Sequence, residues 1–257
     1  MTLRMCKIFL LVVGLCLLPQ VSATALQNII PKIKPSVVGI GVFNPLASPR
    51  ARLEGSGFAI GDGTLIVTNY HVVEKPLDTE VLEKRVVFVG TGNNPDILDA
   101  EVLTFDVIHD LAILKINRAL PALTLDNKDS VVEGTEVGFT GFPIGAVLGL
   151  FPATHRGIIS AVTPIVRPMH SSSALTPQII RRLKHPYLIY QLDATAYPGN
   201  SGSALYDVET GNVVGIINKV FVKESKETVL SNPSGITYAI PVKYLRTLLS
   251  SIQDELK

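Results

Sequence analysis

Asp193-Ala-Thr-Ala-Tyr-Pro-Gly-Asn-Ser201-Gly-Ser-Ala-Leu205 lies between two apolar runs, Tyr187 to Leu192 and Val213 to Val222. Short apolar runs bounded by turn residues read as strands, so the stretch is a tight connection between them. Pro198, Gly199 and Gly202 bend the backbone around Ser201. Glycines beside a serine let the chain approach a ligand closely and turn its N–H groups inward. Pro-Gly-Asn is equally ordinary hairpin chemistry. A plain turn and a nucleophile's loop both fit, and the second requires a base for Ser201 elsewhere in the chain.

Working outward, the strand signals continue in both directions. Val37 to Phe43, Ser56 to Ile60, Leu65 to Thr68, Val86 to Val89, Ala100 to Phe105 and Ala112 to Ile116 form a first set. Glu136 to Phe142, Thr154 to Ile165, Tyr187 to Leu192, Ala204 to Asp207, Val213 to Val222 and Gly235 to Ile240 form a second. Ala119 to Ser130 is the polar connection between the sets. About a dozen strands in two groups predict an all-β chain built as a pair of barrels or a sandwich. Leu26, Ile29, Ile30 and Ile33 share a face at helical spacing, so a short helix closed by Pro35 precedes the first strand. Pro241 suits a first helical position, and Val242, Leu245, Leu248, Leu249 and Ile252 then form the apolar stripe of a C-terminal helix on the second lobe.

With 257 residues and a formal charge of +1, the chain can bury a substantial core and carries no basic stripe for nucleic acid. No fixed-period repeat is visible. Arg4 and Lys7 followed by the apolar run Ile8 to Leu18 read as an export signal, with cleavage expected after Ala23 or Ala25. The run is short for a membrane span, so no stable insertion is expected once it is removed. Cys6 and Cys16 both fall inside residues 1–23. The remainder then has no thiol for a disulfide, a metal site or a nucleophile. An exported chain without disulfides suits the bacterial periplasm or secretion.

A serine hydroxyl needs a neighbouring base. His71, His109, His155, His170 and His185 all precede Ser201, which excludes the Ser, acid, His order of α/β-hydrolases. His71 ends the strand of Leu65-Ile-Val-Thr-Asn-Tyr-His-Val-Val73, where a side chain can face a cleft. His155 is expected in a turn, and His170 and His185 flank a polar loop. No histidine spacing suggests a metal site. Asp110 stands immediately before the apolar Leu111 to Ile116, placed to orient an imidazole. Asp106 and Asp193 are alternatives, and His109 is expected to be exposed.

Gly55-Ser-Gly-Phe58, Thr68-Asn-Tyr-His-Val-Val73, His109-Asp-Leu-Ala-Ile-Leu114 and Pro198-Gly-Asn-Ser-Gly202 together resemble the blocks around the active site of trypsin-like serine peptidases, most nearly the HtrA (Deg) branch. The resemblance spans about Ile33 to Leu245. It implies two six-stranded chymotrypsin-like barrels, within residues 24–128 and 129–257, with the short N-terminal and C-terminal helices added. It also implies a serine endopeptidase acting on exported polypeptides, with a possible role in protein quality control. His71, Asp110 and Ser201 would be its catalytic residues, and the N–H groups of Gly199 and Ser201 its oxyanion hole. Thr195, Asn218, Lys219 and Val220 would border the substrate pocket. Thr195 supplies no carboxylate there, which argues against cleavage after Lys or Arg.

No cofactor, metal or nucleic-acid partner is implied, and a homo-oligomer is compatible with the resemblance. Two features depart from the family. Ser203 replaces a common glycine, and Met169 to Pro186 is longer than the corresponding loop, where activation loops lie. No PDZ domain is recognisable in this polypeptide. The competing reading is a protease-fold peptide-binding or chaperone-like module with little turnover. A structural envelope protein is the third.

Overall fold

The computed structural model describes residues 24–143, 149–165, 186–218 and 235–252. The expected export signal, His170, His185, Lys219, Val220 and all but Pro186 of the long loop lie outside these residues.

Six strands form the first lobe: β1 (Val37–Phe43), β2 (Ala51–Ile60), β3 (Leu65–Thr68), β4 (Lys84–Val89), β5 (Asp96–Asp106) and β6 (Leu111–Ile116). Six form the second: β7 (Glu136–Gly141), β8 (Ala153–Pro164), β9 (Leu188–Asp193), β10 (Ala204–Asp207), β11 (Val213–Asn218) and β12 (Ile236–Pro241). All the pairings are antiparallel, and each set closes into a barrel. The orders β1-β2-β3-β6-β5-β4 and β7-β8-β9-β12-β11-β10 are the same order twice. Closure leaves no unpaired strand edge for another chain to extend. The architecture repeats although the sequence shows no periodic repeat.

The strands read as continuous apolar runs because both of their faces are buried. In the first barrel Val38, Ile40, Ala59, Ile66, Val87, Ala112, Leu114 and Ile116 pack in one cluster. Their sequence neighbours Val37, Phe58, Ile60, Val67, Phe88, Leu111 and Ile113 belong to a second, larger cluster. That cluster also contains Ala204, Tyr206, Val213 and Ile216 of the other barrel, so it joins the two lobes. The second barrel has its own interior, built on Val137, Phe139, Ile159, Tyr190, Leu205 and Val214. Alternate residues therefore serve different apolar environments.

Helix α1 (Ala25–Ile33) begins with a capping box between Thr24 and Gln27 and continues into a 3₁₀ turn at Lys34–Ser36 that contains Pro35. α2 (Tyr70–Val73) is a single turn after β3. α3 (Val242–Ser250) follows β12; Pro241 ends that strand and caps the helix, one position earlier than expected. Ile29 and Ile33 of α1 and Leu245 and Leu248 of α3 enter the cluster between the barrels. Among the described residues no helix is long and apolar enough to cross a membrane.

Candidate active site

His71 is held on α2, not on the end of β3 as expected, because the chain turns into a helix at Asn69. One carboxylate grips the residue twice. Asp110 Oδ1 accepts from the His71 backbone N–H at 2.8 Å, and Oδ2 lies 2.7 Å from His71 Nδ1. An ionised carboxylate only accepts, so this contact puts the proton on Nδ1 and leaves Nε2 free to take one. The Asp110 carbonyl accepts further bonds from Asn69 Nδ2 at 3.0 Å and from the Tyr70 N–H at 3.2 Å. Asp110 itself has φ +56°, a left-handed conformation in the turn between β5 and β6. Aspartate tolerates that region better than most side chains because it bonds locally. The residue is buried, and a third donor reaches its carboxylate from the other barrel: Asn218 Nδ2 at 2.8 Å from Oδ2.

Ser201 is buried in a turn where the Asn200 N–H bonds the Tyr197 carbonyl and the Ser203 N–H bonds that of Asn200, each at 3.0 Å. Gly202 has φ +87°, and a Cβ there would fall 2.2 Å from the Ser56 carbonyl oxygen and 2.4 Å from Thr68 Oγ1. Only glycine fits so close to the first barrel. Gly55 has the same role from the other side, since its Cβ would meet the Val72 side chain at 2.8 Å and the Ser201 carbonyl at 3.0 Å. The serine's turn and the histidine's helix therefore press on one glycine. The N–H groups of Gly199 and Ser201 donate to no group among the described residues. Two free donors beside a serine can hold a developing negative charge on oxygen.

The family model described as the trypsin-like peptidase domain matches residues 55–216, more than half of the chain. The chain belongs to this family. Among its relatives, a probable periplasmic serine endoprotease, DegP-like, from Halomonas elongata is 28% identical over 209 residues, which are 81% of this chain and 37% of the relative. Serine protease HTRA3 of Homo sapiens is 28% identical over 242 residues, 92% of this chain and 47% of its own length. The chain thus spans less than half the length of these curated relatives. Among solved structures, the HtrA-type protease AlgW with a tripeptide aligns with TM-score 0.62 at 27% identity, covering 90% of this chain and 64% of that one. A serine endoprotease from Yersinia pestis aligns with TM-score 0.60 at 26% identity, covering 91% and 68%.

The other residues singled out in this trypsin-like domain have varied surroundings. Asn218, expected on the pocket wall, turns its amide to Asp110. Thr195 is half-buried between Ala194 and Ala196, both tied to Thr237, whose Oγ1 donates to the Ala194 carbonyl and accepts from the Ala196 N–H. Asp193 is exposed at the end of β9. Asp106 bonds His109 and not His71. Burial works to raise the Asp106 pKa, but the His109 hydrogen bonds outweigh it and hold the carboxyl below its usual range. His109 is not exposed: its ring stacks on Tyr244 of α3 and meets Tyr187 edge-on. His155 lies within β8 and not in a turn, stacked on Phe139 with Nε2 3.5 Å from Asn200 Nδ2. Burial lowers its pKa. Among the described residues no cluster of His, Cys, Asp and Glu is arranged to hold a metal ion.

Ser56 was not singled out as a functional residue in the sequence. Its Oγ donates to the Gly199 carbonyl at 2.6 Å and accepts from the Phe142 N–H at 2.9 Å, while its N–H bonds the Ser201 carbonyl at 2.8 Å. Thr68 Oγ1 in turn donates to the Ser56 carbonyl at 2.7 Å. The first barrel thereby holds the turn that carries Ser201 through one side chain. The available signal was Ser56 itself, a hydroxyl residue between two glycines at the start of the apolar run Phe58 to Ile60.

Proposed function

We propose that this chain is a serine endopeptidase of exported polypeptides. Ser201 Oγ attacks a peptide carbonyl while His71 Nε2 takes its proton, giving a tetrahedral oxyanion held by the N–H groups of Gly199 and Ser201. The C–N bond then breaks, His71 returns the proton to the leaving amine, and an acyl-enzyme remains. Water attacks the ester by the same route and frees Ser201. Asp110 keeps the imidazole in the Nδ1–H tautomer and stabilises it when charged. Thr195 borders a pocket for small or medium aliphatic side chains. Residues 1–23 direct export and are removed after Ala23 or Ala25, and the barrels occupy residues 24–128 and 129–257.

The observation that carries the reading is the double hold of Asp110 on His71, backbone and ring, together with the free N–H pair beside Ser201. The test compares wild type with Ser201→Ala in fluorophosphonate labelling and in digestion of an unfolded protein. Loss of such a serine lowers turnover by about 10⁶-fold. Equal digestion by the two proteins overturns the proposal.

A further inference from the structure

Arg85, on β4, is a buried cation that the chemistry above leaves unused. The residue is 6% exposed, and its Nη2 donates to the carbonyl oxygens of Val73 and Lys75, each at 3.0 Å. Its Nε is buried with no hydrogen-bond partner. Among the described residues no carboxylate forms an ion pair with it; Glu54 and Glu83 act on it only as more distant charges. Burial pulls its pKa down from the usual value. Taking a guanidinium out of water without a bonded counter-ion is strongly unfavourable unless other acceptors replace the solvent. The acceptors here are two carbonyls at one end of α2.

A helix of one turn has almost no internal hydrogen bonds, and its last carbonyls need partners from outside. A cation at that end satisfies them and suits the partial negative charge there. Val73 is the last residue of α2, and Lys75 lies two positions beyond it. The other end is tied to Asp110 through Asn69, Tyr70 and His71. α2 is therefore suspended between Asp110 and Arg85, with His71 in the span.

We infer that Arg85 is a positioning residue for His71, fixing the far end of its helix so that the imidazole stays where Asp110 holds Nδ1. This rests on the reading of His71 as the base. Without the guanidinium the helix keeps its Asp110 end and the packing of Val72 and Val73, while its last carbonyls lose their polar anchor and that end can shift. The shift falls on proton transfer, whereas substrate binding by the second barrel is untouched.

The full chain is purified as wild type, R85K, R85M and Ile60→Val. Ile60 of β2 is buried in the cluster between the barrels and not in the one that holds Val72 and Val73, so I60V controls for lost stability. A displacement of this kind lowers rate by about 10- to 100-fold, and R85M is expected to lose that in kcat with KM within about twofold. R85K, which keeps a shorter cationic donor, falls between. The low-field proton resonance of His71 Nδ1–H is expected to broaden or shift in R85M and to stay in place in I60V. Folded R85M with wild-type kcat and resonance, or a kcat no lower than that of I60V, overturns the inference. If R85M does not fold, R85K is decisive: kcat lowered at least about threefold at unchanged KM supports it, and wild-type kcat overturns it. An unlabelled wild type, or digestion unchanged by Ser201→Ala, would instead sink the reading of the site itself.

Discussion

Ser56 and Asn218 show how single residues tie the site across the two barrels. Asp110 belongs to the first barrel, yet Asn218 of the second donates to its carboxylate. Ser201 belongs to the second, yet Ser56 of the first bonds both its carbonyl and that of Gly199. Replacing Ser56 by alanine strands the buried Phe142 N–H and removes a partner from the half-buried Gly199 carbonyl. An unsatisfied buried group costs about 1–3 kcal/mol. Ser56→Ala is therefore expected to lower the urea midpoint and to slow fluorophosphonate labelling of Ser201 by about 10-fold or more. Wild-type labelling in the folded variant would remove Ser56 from the set of residues that hold the turn. His71, Asp110 and Ser201 were legible because each sits in a short block with turn residues at fixed offsets. Ser56 and Asn218 were not legible in these roles, since their partners are 143 and 108 residues away and no local pattern encodes such a bond.

At the level of elements, α2 departs most from its sequence signal, and His155 sits inside a strand and not in its expected turn. α2 is too short for a helical period to show, so a strand end was the natural reading of His71. β8 matches the expected Thr154 to Ile165 within one residue, but near its start it carries the polar Thr154-His-Arg156, half-buried to exposed, whose composition also suits a turn. In the strand its ring packs on Phe139 of β7, across the pairing of Phe139 with His155, and faces the Asn200 side chain. Burial lowers its pKa below the ordinary 6.5, which makes the neutral ring the folded form. Below about pH 6.5 the unfolded chain binds a proton that the folded chain resists, so stability rises with pH in that window and falls as the solution is acidified. Thermal melts between pH 7.5 and 5 are expected to show this loss, and His155→Gln to reduce its slope. An unchanged slope in that variant would remove His155 from the acid sensitivity. Strand boundaries were misread for a related reason. Ala51–Glu54 of β2 and the ends of β5 are exposed and carry little apolar signal, yet pairing with their neighbours keeps them extended.

Across the whole molecule, the cluster between the barrels connects the site to both termini of the described chain. Leu245 of α3 is fully buried in it, and Arg246 beside it bonds the Asp126 and Lys128 carbonyls and the Asp129 carboxylate in the connection between the lobes. Leu245→Ala is expected to lower the unfolding free energy by about 2–5 kcal/mol. The chain has no tryptophan, so circular dichroism in urea is the suitable probe. A change under about 0.5 kcal/mol, the range of ordinary surface substitutions, would mean that α3 is not part of the joining core. The number of strands, their division into two sets, the order His71, Asp110, Ser201 and the glycines around the serine were all present in the amino-acid sequence. They are local properties: apolar runs bounded by turn residues, and blocks whose members lie within a few positions of one another. Barrel closure, the burial of both strand faces, the single turn under His71 and the donors on Asp110 and Gly199 arose only in the tertiary structure, and the Asn218 and Ser56 bonds among them only when the two lobes docked. Those features depend on contacts between residues far apart in the chain, and a linear pattern records that a residue is apolar or polar without recording what it will meet.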